Sequence, residues 1–326
     1  MKYGAFLKSS VVAVGLTFAG SAFAETNWDL PTPYPDGNFH TRNIAQFAAD
    51  VGEKSGGSLT ITVHSGQSLI KHPDIKNSVR DGIVPAGELL VSRLENESAI
   101  FGVDSVPFLA SSYEGSKKLY DAQRPHLEKL LAEQGLQLLF SVPWPPQGIY
   151  AKKEVNSLSD LAGLKFRAYN LGTERVAELA GMVPTQIEAS DIPTAFATGR
   201  VDAMITSPST GADSKAWDFL SHYHDTQAWL PRNMVIVNKA AFDGLSAEEQ
   251  AAITEAAAAA ETRGWEMSQE ETAAKTKVLV DNGITVVTPS DTLKAEFAEI
   301  GQTMTGEWKA KAGAEGEELL KAYQSN

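Results

Sequence analysis

The 326-residue sequence contains no cysteine. Disulfides, thiolate nucleophiles, cysteine-held metals and a lipid-modified cysteine anchor are therefore excluded, and the core alone must hold the fold. Histidine is scarce, with six residues scattered along the chain. Catalytic signatures are missing too: there is no H-E-x-x-H, no G-x-S-x-G elbow and no G-x-x-x-x-G-K phosphate loop. Basic charge is outnumbered, with 28 Lys and Arg against 41 Asp and Glu, a formal net charge of −13. That balance argues against nucleic acid and anionic membrane surfaces, which want basic patches. Only one long apolar run exists, Val11 to Phe18, and it is too short to span a bilayer. No repeat recurs at solenoid periods.

What is present begins with that run. Lys2 and Lys8 precede it and Ala22-Phe-Ala24 follows it, the pattern of a secretory signal with a small-x-small cleavage site. Residues 1–24 are predicted to be removed, leaving a chain from Glu25 with a charge of −15 in the periplasm. The remaining length suffices for two domains.

Along the chain, period-two strands alternate with helical patterns, an α/β class. Trp28-Asp-Leu reads as the first strand, Phe39 to Glu53 as an amphipathic helix, and Leu59 to Val63 as a strand. Val84 to Val91 is predicted to be a strand with Glu88 at its exit. Two helices are expected at Ser112–Ala122 and Pro125–Gln134, then a strand at Leu136–Val142. Pro143-Trp-Pro-Pro-Gln-Gly148 is a stiff loop suited to crossing between domains. Val183–Glu188 and Val201–Thr206 are further strands, the latter leading into a polar loop, Ser207 to Gly211. Tyr223–Trp229 and Met234–Asn238 read as strands, with Leu230-Pro231 as a second crossing. Ser246-Ala-Glu-Glu249 is a capping box that opens a helix running to Asp281, with a bend expected at Gly264. The remainder is helical after a strand at Ile284–Val287.

The most informative stretch is Leu158-Ser-Asp-Leu-Ala-Gly-Leu-Lys-Phe-Arg167-Ala-Tyr-Asn170. Ser157 or Ser159 can cap a short helix, and Gly163 can end it. Leu164 to Tyr169 then alternates, with Lys165, Arg167 and Tyr169 on one side. An Arg leaving a short strand of an open α/β sheet sits where such sheets bind ligands. Its fork suits a carboxylate, although a surface ion pair would give the same pattern. Glu88, Trp144, Gln147, Asn170 and Ser207 join it as polar or aromatic groups at strand exits, a distribution that suits a small ligand between two lobes. His72 is a loop residue with either a structural or a ligand role. His222 and His224 are two apart on a strand without a third ligand, so no metal is expected, and no cofactor is called for. Trp28 and Trp217 are further aromatic candidates for a ligand wall.

The order of several motifs resembles the extracytoplasmic solute-binding proteins of tripartite ATP-independent periplasmic (TRAP) transporters, the dicarboxylate-binding-protein-like DctP family. It is carried by Gly57-Ser-Leu-Thr-Ile-Thr-Val with Gln67-Ser-Leu69, by Val106-Pro-Phe-Leu109, by Ser157 to Arg167, by Val183-Pro-Thr, by Ala195-Phe-Ala-Thr-Gly-Arg-Val-Asp202 and by Leu245-Ser-Ala-Glu-Glu-Gln250. The resemblance implies a two-lobe α/β periplasmic binding fold with a cleft and a long helix spanning both lobes. Residues 25–144 and 232–270 are expected to build one lobe, and 145–231 and 271–326 the other. It implies capture of a solute and its delivery to TRAP membrane permease subunits, without enzymatic chemistry. It further implies that Arg167 grips a carboxylate and that Asn170 makes a polar contact. Ser207 stands where the family often has Asn. Gln147 stands where its sugar-acid binders often carry a second Arg, which argues for a monocarboxylate, with Trp144 and Tyr169 stacking on an apolar body. A small amine bound through Glu88 is the rival ligand. A periplasmic enzyme using Glu88 with His72 is the rival of a different class.

Overall fold

The computed structural model describes residues 26–325 together with Met1; the predicted signal from Lys2 onward and Glu25 lie outside the described residues. The chain opens with β1 (Thr26–Pro31), α1 (Phe39–Lys54), β2 (Leu59–His64), α2 (Ile75–Arg80), β3 (Ala86–Leu90), α3 (Tyr113–Ala132) and β4 (Leu136–Pro143). A second run follows: β5 (Gly148–Ala151), β6 (Lys165–Ala168), α4 (Leu171–Leu179), β7 (Val183–Gln186), α5 (Ile192–Ala197), β8 (Ala203–Thr206), α6 (Pro208–Asp213) and β9 (His222–His224). The last run is β10 (Arg232–Asn238), α7 (Lys239–Asp243), α8 (Ala247–Asp281), β11 (Thr285–Val287) and α9 (Asp291–Ser325).

These strands divide into two sheet regions. In the first, β1 and β2 pair in parallel beside β3, and β10 runs antiparallel between β3 and β4. The second is a six-stranded sheet in the order β11-β9-β5-β8-β6-β7. The chain leaves the first region through Trp144–Gln147 and returns through 225–231. These two crossings bond to each other: Trp144 N donates to Pro231 O at 2.8 Å, and Gln147 N to Trp229 O at 3.0 Å. Pro143 at the end of β4, Pro145 and Pro146 in one crossing and Pro231 in the other fix their own φ and leave rotation to the remaining backbone angles of the crossings.

Helix α8 ties the two regions together. Its capping box forms as predicted, with Ser246 and Glu249 each bonding the other's backbone N–H. Its first half packs on α1 and β4, where Asn43 Nδ2 donates to Ala260 O and Trp265 Nε1 donates to Ser141 O. The helix runs unbroken through Gly264. A Cβ there would fall 2.4 Å from Val142, so the glycine is a notch that lets the helix approach β4. Beyond it, Glu271 accepts from Ser209 and Lys275 reaches Asp213, both on α6 of the second region.

Four local expectations change. α3 is one helix running through Pro125, because its apolar face, with Leu119, Leu127 and Leu131, is buried and outweighs one lost backbone bond. Glu88 sits in the middle of β3 opposite Val235, not at an exit. Ser207 to Gly211 is the start of α6, capped by Ser207, and not a loop. The strand expected over Tyr223–Trp229 is only His222–His224, since the residues after it turn into the return crossing. α9 breaks at Gly313, whose φ is +57°. The far part of α9 contacts residues of the first region: Trp308 Nε1 donates to Ala99 O, Glu315 meets His126, and Tyr323 donates to Leu109 O.

Candidate functional site

A cavity lies where the two regions face each other beside the crossings. Arg167 reaches it from β6. The Gly163 turn, with φ +77°, starts the strand, and its period-two alternation carries Phe166 and Ala168 to the side opposite Arg167. The guanidinium is buried to 3% exposure and lies 5.0 Å from the centre of the Tyr169 ring. Its Nε donates to Ile187 O at 2.9 Å. Among the described residues, no carboxylate comes within ion-pair distance of it, and its two terminal nitrogens have no hydrogen-bond partner. Burial pulls its pKa down to about 10, with Tyr169 and Glu188 opposing the shift, so it remains a cation at neutral pH.

Glu188, just beyond β7, stands beside it. One of its oxygens pairs with Arg93 at 2.9 Å, and the other meets His72 Nδ1 at 3.2 Å. His72 and Arg93 come from the first region, so this cluster joins the two halves. His72 Nε2 accepts from Leu90 N at 3.2 Å, which assigns the proton to Nδ1. Burial lowers the His72 pKa, and the ring is neutral at pH 7. Burial alone would raise the Glu188 pKa, but His72 and Arg93 hold it below its ordinary value.

The rest of the wall is aromatic and mostly self-satisfied. Tyr169 Oη donates to Gln147 Oε1 at 3.3 Å and accepts from Trp229 Nε1 at 3.1 Å. Gln147 Nε2 donates to Pro145 O. Trp144 Nε1 donates to Asn233 Oδ1 at 2.9 Å, and Tyr34 packs edge-on against Trp144 at 4.9 Å. Thr206 also lines the cavity, and its hydroxyl has no hydrogen-bond partner among the described residues.

Six of the ten residues singled out from sequence therefore line one cavity: His72, Trp144, Gln147, Arg167, Tyr169 and Ser207. Ser207 is there with its hydroxyl committed to capping α6 through Thr210 N. The other four are not on its wall. Glu88 lies behind Trp144, bound by Thr32 Oγ1, by Asn233 Nδ2 at 2.8 Å and by His40 Nδ1 at 3.4 Å. Burial raises its pKa to about 7. Asn170 is the N-cap of α4, and its Nδ2 donates to Ser92 and Ser105 across the junction. Trp28 points into the first core, because β1 buries alternate residues, and Trp217, only partly buried, packs against the edge of the second core. The pairing of Glu88 with His72 does not form, since each has other partners. His224 accepts from Val155 N and faces Ile149 O, so both ring nitrogens serve the fold.

Tyr34, Arg93, Glu188 and Thr206 also line the cavity and were not singled out from sequence. The available signal was position: Glu188 and Thr206 end strands that the sequence did predict, and Arg93 follows another.

The sequence profile of the family described as bacterial extracellular solute-binding protein, family 7, matches residues 33–311. Solved structures similar to this chain include the following three. DctP7 of Bordetella pertussis, an extracytoplasmic solute receptor binding pyroglutamic acid, is 47% identical, with 92% of this chain and 99% of that one covered and a TM-score of 0.91. DctP6 of Bordetella pertussis, described in the same words, is 44% identical over 92% and 100%, TM-score 0.91. A TRAP solute binding protein from an unidentified marine microbe, specific for pyroglutamate, is 40% identical over 93% and 100%, TM-score 0.91.

Proposed function

This chain belongs to the bacterial extracellular solute-binding proteins of family 7, and from that premise we propose that it is the periplasmic receptor of a TRAP transporter for a small cyclic monocarboxylate of the pyroglutamate type. The observation that carries this reading is a buried Arg167 with no anion of its own. A desolvated cation without a counter-ion is costly, and a carboxylate from the solute offsets that cost through two parallel bonds.

Charge counting sharpens the ligand class. The cavity holds Arg93 and Arg167 as cations, Glu188 as an anion and His72 as a neutral ring. The sum is one positive charge. A monoanion cancels it, a dicarboxylate overshoots, and an amine adds to it. Glu88, on which the amine reading relied, lies behind the wall. Tyr34, Leu90, Trp144, Tyr169 and Pro231 offer apolar faces to a small ring.

The mechanism is capture and closure. Solute enters the open cleft, its carboxylate meets Arg167 of lobe II, and the first lobe closes over it. The crossings 144–147 and 225–231 act as the hinge, where two mutually bonded strands of backbone absorb the rotation. The His72–Glu188–Arg93 cluster and the Gln67–Ser190 bond latch the closed form. In this division lobe I comprises 26–144 and 232–270 with the far part of α9 from Trp308 onward, and lobe II comprises 145–231 and 271–307. The closed receptor then docks on the membrane permease and releases its solute there. No step breaks a covalent bond of the solute.

A thermal-shift panel tests the reading with L-pyroglutamate, proline, glutarate, a uronate and a small amine. Ligand at a thousand times its dissociation constant stabilises by about 4 kcal/mol, which raises the melting temperature of a chain this long by several degrees, on the order of 5 °C or more. L-Pyroglutamate is expected to give the largest shift. A shift confined to the amine overturns the ligand assignment.

A further inference from the structure

We infer that Glu188 is a specificity residue that selects solutes carrying an N–H donor on the carbon next to the carboxylate, such as lactam acids, over isosteres with oxygen at that position. The inference rests on the monocarboxylate reading above and goes beyond it.

The argument starts from the neighbours of Arg167. Its Nε is held by Ile187 O, so the next residue in the chain, Glu188, is fixed beside the guanidinium. The cavity thus presents a donor fork and a carboxylate acceptor side by side. A carboxylate has about four acceptor directions. Two of those on Glu188 are taken, one by Arg93 and one by His72. Its side chain keeps 24% exposure, against 6% for His72. Capacity therefore remains for one more donor.

Other polar groups on the wall do not offer an equivalent acceptor. Gln147 Oε1 takes the Tyr169 hydroxyl, the Ser207 hydroxyl caps α6, and the Trp144 indole already donates to Asn233. The Thr206 hydroxyl can act either way. When a closed cleft excludes water, Glu188 must find a donor on the solute or remain short of one. In an α-nitrogen acid the carboxylate and the N–H sit on one carbon and face the same edge. That edge complements a fork beside a carboxylate. An oxygen in place of the N–H would put lone pair against lone pair.

Arg93 matters to the same choice. Because it already neutralises Glu188, the site does not need an ammonium there, and a neutral N–H suffices. A lactam acid satisfies both demands, one negative charge and one neutral donor. Proline, with an ammonium, satisfies the geometry and leaves one positive charge uncancelled.

The test compares L-pyroglutamate with its ring-oxygen isostere, 5-oxotetrahydrofuran-2-carboxylate, by isothermal titration on the mature protein and on Glu188→Gln. Wild type is expected to bind the lactone at least about 100-fold more weakly, as sites built around a polar group reject ligands that cannot pair with it. In Glu188→Gln the gap should narrow to under about tenfold, since the amide presents either a donor or an acceptor. Equal wild-type affinity for the two compounds overturns this inference and leaves the receptor reading standing. An unchanged gap in a folded Glu188→Gln protein moves the discrimination to another group and also overturns it. If that variant does not fold, the wild-type pair decides. Failure of wild type to bind either compound overturns the monocarboxylate reading, and this inference with it.

Discussion

Arg167 and Arg232 are alike in most respects. Both are buried, at 3% and 0% exposure, and both lie over a tyrosine ring, at 5.0 Å from Tyr169 and 5.1 Å from Tyr120. Burial pulls both pKa values down. They differ in what surrounds the charge. Arg232 has a carboxylate, Asp104, at 3.7 Å, and the same carboxylate accepts from its backbone N–H at 2.9 Å. Its guanidinium also donates to Gln123 and to Ser116 O. Arg167 has one carbonyl and no anion. Burial and aromatic stacking therefore do not mark a binding arginine. The proposal for Arg167 rests instead on a missing counter-ion beside a cavity.

That comparison can be broken most forcefully at Arg232. Arg232→Ala strands Asp104 in the core and should destabilise the protein by about 3–5 kcal/mol, read as a lower midpoint in urea. A midpoint near wild type would mean that the buried pair is dispensable. The matching change, Arg167→Ala, removes an unpaired buried charge. Without ligand it should leave the urea midpoint unchanged or raise it. A loss as large as that of Arg232→Ala would make Arg167 a structural residue.

Glu88 applies the same logic to an anion. It is buried with neutral donors only, and burial raises its pKa to about 7. The folded protein thus holds this proton where the unfolded chain has released it. The contribution is present at low pH and is lost as pH rises from about 4.5 to about 7, roughly 3 kcal/mol in all. Glu88→Gln should remove that slope. Relative to wild type it should be more stable at pH 8 than at pH 5, and a difference that does not vary with pH would show that Glu88 does not titrate there. The smallest change is Gln147→Arg, which puts a second cation on the cavity wall. It should weaken monocarboxylate binding by on the order of tenfold, about 1.4 kcal/mol, and favour dicarboxylates. Titration with both classes checks this, and an unaltered preference would remove charge counting as the basis of selectivity.

The fold was largely legible in the sequence, because strands and helices of this chain carry clean periods and strong stops. Arg167 was legible for the same reason, at the end of a short alternating strand after Gly163. Its most important neighbour was not. Glu188 meets His72 across 116 residues, and no local pattern reports such a contact. Asn170 shows the converse ambiguity. An Asn three residues before Thr173 reads equally well as a ligand contact and as a helix cap, and here it is the cap. Glu88 was misplaced because strand ends are blurred in sequence, and two residues separate a cleft from a core. Trp28 and Trp217 drew notice as indoles, but large aromatic rings fill cores more often than they face ligands.

The account turns on whether a solute carboxylate is the counter-ion that Arg167 lacks. Isothermal titration of L-pyroglutamate into the wild-type protein and into Arg167→Ala tests that directly. The prediction is one site per chain in wild type and a loss of at least about 100-fold, near 3 kcal/mol, in the variant. Binding of native strength in a folded Arg167→Ala protein would contradict it.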